Sequence, residues 1–278
     1  MLNAVQSFQA YLQRIKERPG LLGLSTGFPT LDKLTGGLIP GEVTVLAGRT
    51  SMGKTALAMQ IAWNAARDNH EVLVLSLEMP GWRLIEREVC RVARIPAEHL
   101  RLGIVDPDQI AWMEKIAREL LELPLTIYEQ SSPTKDQLRA ALQDHWRQGF
   151  RPKLLVVDHL GKIIIPRASA YQQASEISAW LVHLAKQMNA AVLALCQLNR
   201  AAVAGEEKRP QLHHLRDSGA IEQDADAVWL LHRPSYYREE GPDELIVAKS
   251  RNGATGEVKV TFDPEFTEFW ELKRSTTP

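Results

Sequence analysis

Residues 42–55 read Glu42-Val-Thr-Val-Leu-Ala47, then Gly48-Arg49-Thr50-Ser51-Met52-Gly53-Lys54-Thr55. The run Glu42–Ala47 is the length of a buried strand and too short for a helix. The next eight residues fit G-x-x-x-x-G-K-[ST] throughout, and a helical pattern follows to about Arg67. A phosphate-binding loop needs that order of strand, glycine-rich loop and helix. Its glycines let backbone N–H groups wrap phosphates at a helix N-terminus. The expected phosphate-binding set is therefore Gly48, Arg49, Thr50, Ser51, Met52, Gly53, Lys54, Thr55 and Ala56. Lys54 would reach the outer phosphates and the Thr55 hydroxyl would ligate Mg²⁺. The implied ligands are ATP and Mg²⁺.

Outward from this loop, strand and helix signals alternate. Strands are expected at 72–77, 124–128, 153–158, 190–196 and 226–232, and helices at about 80–94, 107–122, 134–148 and 171–188. Near-continuous apolar strands between helices predict a mostly parallel sheet covered on both faces. Residues 245–250 and 256–262 are strands on either side of Arg251-Asn-Gly253, and with Phe269-Trp270 they predict an antiparallel C-terminal edge. The fold class is α/β. Ser25–Asp32 approaches a short helix closed by Gly36-Gly37, and Pro40-Gly41 is a turn. Residues 201–209 and 166–175 read as loops. Ahead of all this, Leu2, Val5, Phe8, Leu12 and Ile15 recur at helical spacing until Pro19-Gly20, so 1–20 forms an amphipathic helix apart from the domain at 21–278.

Composition narrows the class. The chain has 278 residues, 45% hydrophobic and 24% charged, with a formal net charge of -1. No global basic field advertises a nucleic-acid partner, so any basic surface must be local. No apolar run has the length of a membrane span, and the first 19 residues carry no signal-peptide core; a cytoplasmic protein is expected. The two cysteines, Cys90 and Cys196, lie in apolar stretches and read as buried thiols, not a disulfide or zinc site.

A phosphate-binding loop also needs a carboxylate to hold the metal and a group to orient water. Asp158 ends the apolar run Leu154-Leu-Val-Val and is the expected metal ligand. Glu78 and Gln197 likewise follow strands, at the carboxyl edge where ligands bind parallel sheets. Glu78 is the candidate catalytic carboxylate and Gln197 the candidate γ-phosphate sensor. Lys249 and Arg251 form a basic pair at a hairpin tip: either a solvated turn or an arginine finger, for the chain's own site or a neighbour's.

Read together, several stretches carry a resemblance: the phosphate loop, Ser76-Leu-Glu-Met79, Val157-Asp-His-Leu160, Cys196-Gln-Leu-Asn-Arg200, Leu215-Arg-Asp-Ser-Gly-Ala-Ile-Glu-Gln-Asp-Ala-Asp226 and Lys249-Ser-Arg-Asn-Gly253. Their order resembles the C-terminal ATPase domain of the bacterial replicative DnaB helicases, from about Ser25 to Trp270. The resemblance implies a RecA-like domain and a homo-hexameric ring with ATP sites between subunits. Lys249 and Arg251 would then reach the neighbour's nucleotide. Arg216, Asp217 and Gly219 would lie in a loop that contacts the backbone of single-stranded DNA, six copies lining a channel. The N-terminal helix matches the family's linker, which docks on the adjacent subunit; a helicase loader or primase is a further implied partner. Three departures stand out. The family's N-terminal collar, which helps recruit primase, has no counterpart in this stretch, as expected of a truncated piece or of a short relative from a mobile element. His159-Leu-Gly-Lys162 replaces the usual Tyr-Leu-Gln-Leu. Asp217 stands where Glu is usual. Two other classes remain open: a RecA- or KaiC-like ATPase, and a nucleotide-dependent regulatory subunit of a host helicase ring.

Overall fold

A computed structural model describes residues 21–198 and 209–272, together with Val5, Gln9, Leu12, Gln13 and Lys16; the side chains of residues 216–218 lie outside that description. Those five N-terminal residues are helical and exposed, in keeping with the expected helix, while Leu2, Phe8 and Ile15 of its stripe lie outside the described residues.

The first half runs α1 (Pro29–Thr35), β1 (Val43–Gly48), α2 (Lys54–Arg67), β2 (Val72–Ser76), α3 (Gly81–Ala93), α4 (Ala97–Leu102), α5 (Pro107–Leu121), β3 (Leu125–Glu129), α6 (Lys135–Arg147) and β4 (Leu154–Asp158). After a 3-10 turn at Leu160–Lys162 come α7 (Ala170–Met188) and β5 (Ala191–Gln197). A 3-10 helix, Leu212–Ser218, leads into α8 (Gly219–Asp224) and β6 (Ala227–His232), and β7 (Asp243–Ser250), β8 (Gly256–Asp263) and β9 (Glu268–Glu271) complete the sheet.

The nine strands lie in the order β3-β2-β4-β5-β1-β6-β7-β8-β9. The first six are mutually parallel and the last three antiparallel. Side chains alternate across the sheet at period two, so each parallel strand feeds two cores. Leu46, Val74 and Val156 point to the α2 side with Leu57, Ile61 and Trp63. Val45, Ala47, Leu75 and Val157 point to the α7 side with Ile177, Leu181 and Leu184. Backbone polar groups in such strands are satisfied by the ladder, which is why apolar runs without alternation fold this way. Buried Glu88 and Glu268 accept from Arg67, Arg91 and Arg94, and this network ties α3 to α2 and β9.

Two expected loops differ from what is observed. Ser169 accepts from the Gln172 N–H in a capping box, so α7 starts at Ala170 and the loop expected over 166–175 ends at Ser169. Of the loop expected at 201–209, residues 201–208 lie outside the described residues, while Arg209 is anchored by Glu244 and Glu257. Helix α4 and the 3-10 helix at 212–218 had no counterpart in the sequence reading.

Candidate nucleotide site

The carboxyl ends of the parallel strands form one edge of the sheet, and register alone gathers the site there. Gly48 pairs with Gln197, and Ser76 with Asp158. Gly53 holds the left-handed region at φ 96°, where a Cβ would also meet the Phe269 ring at 2.9 Å, so glycine is required twice over. Gly53 is the N-cap of α2 and offers no side-chain cap, which leaves the first N–H groups of that helix directed at the loop.

Lys54 Nζ donates to the Gly48 and Arg49 carbonyls at 2.9 and 2.8 Å. Burial lowers its pKa, and Asp158 opposes that shift most. Asp158, 7% exposed, is pushed up chiefly by burial, with the Thr55 hydroxyl as the leading counterweight. A hydroxyl facing a buried carboxylate is an all-oxygen donor pair, the hard set that Mg²⁺ takes alongside phosphates and water. Gln197 Nε2 donates to Thr50 Oγ1 at 2.7 Å, tying the β5 tip to the loop. Glu78 lies on the bend after β2, with His159 Nε2 at 3.1 Å and Lys162 Nζ at 3.7 Å from its carboxylate. Burial lowers the His159 pKa, against the pull of Glu78 and Asp158. The edge thus brings together Gly48 through Ala56, Glu78, Asp158 and Gln197.

Lys249 and Arg251 are elsewhere. Ser250 pairs with Ala227, and Ala227 with Thr44 at the amino end of β1, so the hairpin projects from the opposite edge. Val43–Gly48 spans roughly 16 Å at about 3.3 Å per residue. No arginine side chain crosses that distance to its own phosphate loop. Lys249 Nζ donates to the Glu222 and Gln223 carbonyls at the end of α8. Arg251 donates to the Gln223 carbonyl and pairs with Asp226 at 3.0 Å. Asp226 also accepts from the Val43 N–H, so it organises the whole corner.

Arg216 and Asp217 lie in the 3-10 helix, not in an irregular loop, and their side chains lie outside the described residues; Gly219 begins α8 with open space where a Cβ would stand. A cleft of about 520 Å³, lined by His159, Gly161, Gln197, His214 and Leu215, separates this helix from the nucleotide edge.

Two basic residues at the site went unread in the sequence. Arg233, buried beneath the loop, donates to the Met52 carbonyl at 3.1 Å, pairs with Asp243 at 3.1 Å and stacks on Phe262. Its only signal was a cation directly after an apolar strand. Arg87 lines a small cavity with Thr55; burial lowers its pKa and Asp158 raises it. On α3 it looked like one more polar-face residue.

The family model for the DnaB-like helicase C terminal domain matches residues 23–271. The chain belongs to this family. It is 36% identical over 272 residues to the replicative DNA helicase DnaB of Haemophilus influenzae and 34% identical over 272 residues to that of Geobacillus stearothermophilus. Those matches cover 94% and 95% of the chain but 58% and 60% of the two DnaB proteins. The ATPase domain of G40P superposes with a TM-score of 0.89 at 28% identity, covering 98% of this chain and 99% of that one. A DnaB-like replicative helicase, solved in a study of its interactions with primase, gives a TM-score of 0.85 at 27% identity and covers 98% and 68%. A KaiC-like protein from Pyrococcus horikoshii, at 17% identity and a TM-score of 0.60, shares the fold. Among the described residues no helix is long and apolar enough to cross a membrane.

Proposed function

We propose that this chain is the motor part of a replicative-type DNA helicase, hydrolysing ATP between copies of itself to travel along single-stranded DNA and open duplex. The observation that carries this reading is the separation of two half-sites. Lys54, Thr55, Asp158, Glu78 and Gln197 share one edge, while Lys249 and Arg251 project from the other. A head-to-tail neighbour would bring the second set to the first, and repeating that contact closes a ring.

In this reading Lys54 binds the outer phosphates, and Thr55 and Asp158 hold Mg²⁺. The ion, when bound, neutralises charge developing on the transferred phosphoryl group. Glu78 orients the attacking water and takes its proton, and Gln197 reports the γ-phosphate to the loop through Thr50. Lys249 and Arg251 stabilise the neighbour's transition-state charge. Arg216, Asp217 and Gly219, on the segment just past the cleft lined by His159, Gln197 and Leu215, would contact the DNA backbone. The N-terminal helix, with Val5 and Leu12 64% and 41% exposed, has apolar surface for an adjacent subunit. A loader or primase would act on the assembled ring.

The test is ATP hydrolysis with and without single-stranded DNA, with mass read by light scattering. Hydrolysis by an assembled oligomer, stimulated by DNA and abolished in Lys54→Ala, is the expected result. DNA-indifferent hydrolysis by a monomer would overturn the helicase reading.

A further inference from the structure

The stretch His159-Leu-Gly-Lys162, where the chain departs from the usual family pattern, is folded around Glu78. His159 Nε2 lies 3.1 Å from Glu78 Oε2. On the other side of the ring, the Gly161 N–H donates to Nδ1 at 3.1 Å. A ring nitrogen that accepts carries no hydrogen, so the hydrogen of the neutral imidazole sits on Nε2, the nitrogen 3.1 Å from the Glu78 carboxylate. The backbone of residue 161 therefore selects the tautomer that Glu78 needs.

Space makes the same match. A Cβ on Gly161 would stand 2.9 Å from Cε1 and 3.1 Å from Nδ1 of His159. Any side chain at 161 would displace the ring from its place beside Glu78. Lys162 closes the set from the next residue, its Nζ 3.7 Å from the other carboxylate oxygen. The side chain of Glu78 is 51% exposed, so packing alone does not fix its rotamers, whereas the His159 side chain is only 15% exposed and provides a firm support. A carboxylate has about four acceptor positions, and two contacts leave room for a water.

We infer that His159, Gly161 and Lys162 are a positioning set for Glu78, holding its carboxylate in one orientation for the attacking water without touching the nucleotide themselves. The inference rests on the reading of Glu78 as the catalytic carboxylate. Gly161 acts only through the ring: it accepts the imidazole because it has no side chain, and it fixes the tautomer through its N–H.

The experiment uses the 278-residue chain and five variants: Glu78→Gln, His159→Phe, His159→Gln, Gly161→Ala and the double variant His159→Phe/Gly161→Ala. Turnover is measured against ATP concentration, and fluorescent mant-ADP binding reports folding and the intact phosphate loop. Glu78→Gln should lose hydrolysis. His159→Phe and Gly161→Ala should each lower kcat on the order of tenfold, with KM and mant-ADP affinity within about twofold, as misplacement of a catalytic group does. His159→Gln, which keeps a donor, should recover most of the rate. The double variant should be no slower than His159→Phe, because the two changes break one interaction. If Glu78→Gln is inactive while His159→Phe and Gly161→Ala keep full kcat, the positioning set is overturned and the role of Glu78 stands. Additive losses in the double variant, or losses in KM alone, would also overturn it. Full activity in Glu78→Gln would remove both readings.

Discussion

Lys54 and Cys90 both sit in apolar surroundings, and burial favours the neutral form of each, which moves their pKa values in opposite directions. For Lys54 the Gly48 and Arg49 carbonyls and the Asp158 charge counter the effect, so a cation is kept where phosphates bind. At Cys90 the Glu86 charge adds to burial and only a backbone hydrogen bond opposes them, so its thiol is pushed up to about 11. Because the folded pKa lies above the ordinary value of 9.0, this contribution to stability is intact below pH 9 and is lost as pH rises through about 11. Iodoacetamide at pH 8 should therefore leave Cys90 unmodified in the native chain and alkylate it in urea, read by mass spectrometry. Labelling of Cys90 in native protein at the unfolded rate would contradict the burial argument. At this scale Glu78, Asp158 and Gln197 were legible because each lies at or just past the end of an apolar strand, and Lys54 because it belongs to the glycine-rich loop pattern. Arg233 and the match of His159 with Gly161 were not, because one arises from a contact between distant elements and the other from the shape of a single tight turn, and neither leaves a periodic trace.

A buried ion pair connects the antiparallel edge to the phosphate loop. Arg233, just after β6, holds the Met52 carbonyl, and Asp243, at the start of β7, holds Arg233. Both side chains are buried, 7% and 4% exposed, and Ser235 also donates to the same carboxylate. Removing one partner of a buried pair strands the other charge, at a cost of about 3–5 kcal/mol. Asp243→Ala should lower unfolding stability by that order in urea titrations and weaken mant-ADP binding, while Glu98→Ala, in an exposed pair with Arg101, should shift stability by less than about 1 kcal/mol. Equal effects from the two would refute the clamp. The parallel strands were readable because they are apolar throughout and too short for helices. Helix α4 has six residues, fewer than two turns, and the 3-10 helix at 212–218 has three residues per turn, so neither presents the 3.6-residue period that identifies a helix. The start of α7 was blurred because Ser169 and Gln172 look like loop residues until their capping box is seen.

For the whole molecule the decisive feature is that the nucleotide-loop residues and the Lys249–Arg251 hairpin lie at opposite edges of the parallel sheet, which the proposed function reads as two halves of one chemistry. Arg251→Ala should abolish hydrolysis although Arg251 lies on the order of 16 Å from its own loop. Mixing Arg251→Ala chains with Glu78→Ala chains should restore activity, since an intact nucleotide edge then meets an intact basic edge at about one quarter of randomly formed contacts. No recovery in co-assembled mixtures would count against action in trans. The sequence named these candidate residues but not the distance between them, because distance across a sheet depends on strand register. The separation also sets an arithmetic. If the proposed action in trans holds, a working centre belongs to a junction, not to a chain: a solitary chain has none, an open string has one fewer than its members, and only closure equalises the two. Rate per chain should then climb with protein concentration and collapse on dilution, as expected of a motor that idles until its copies have met.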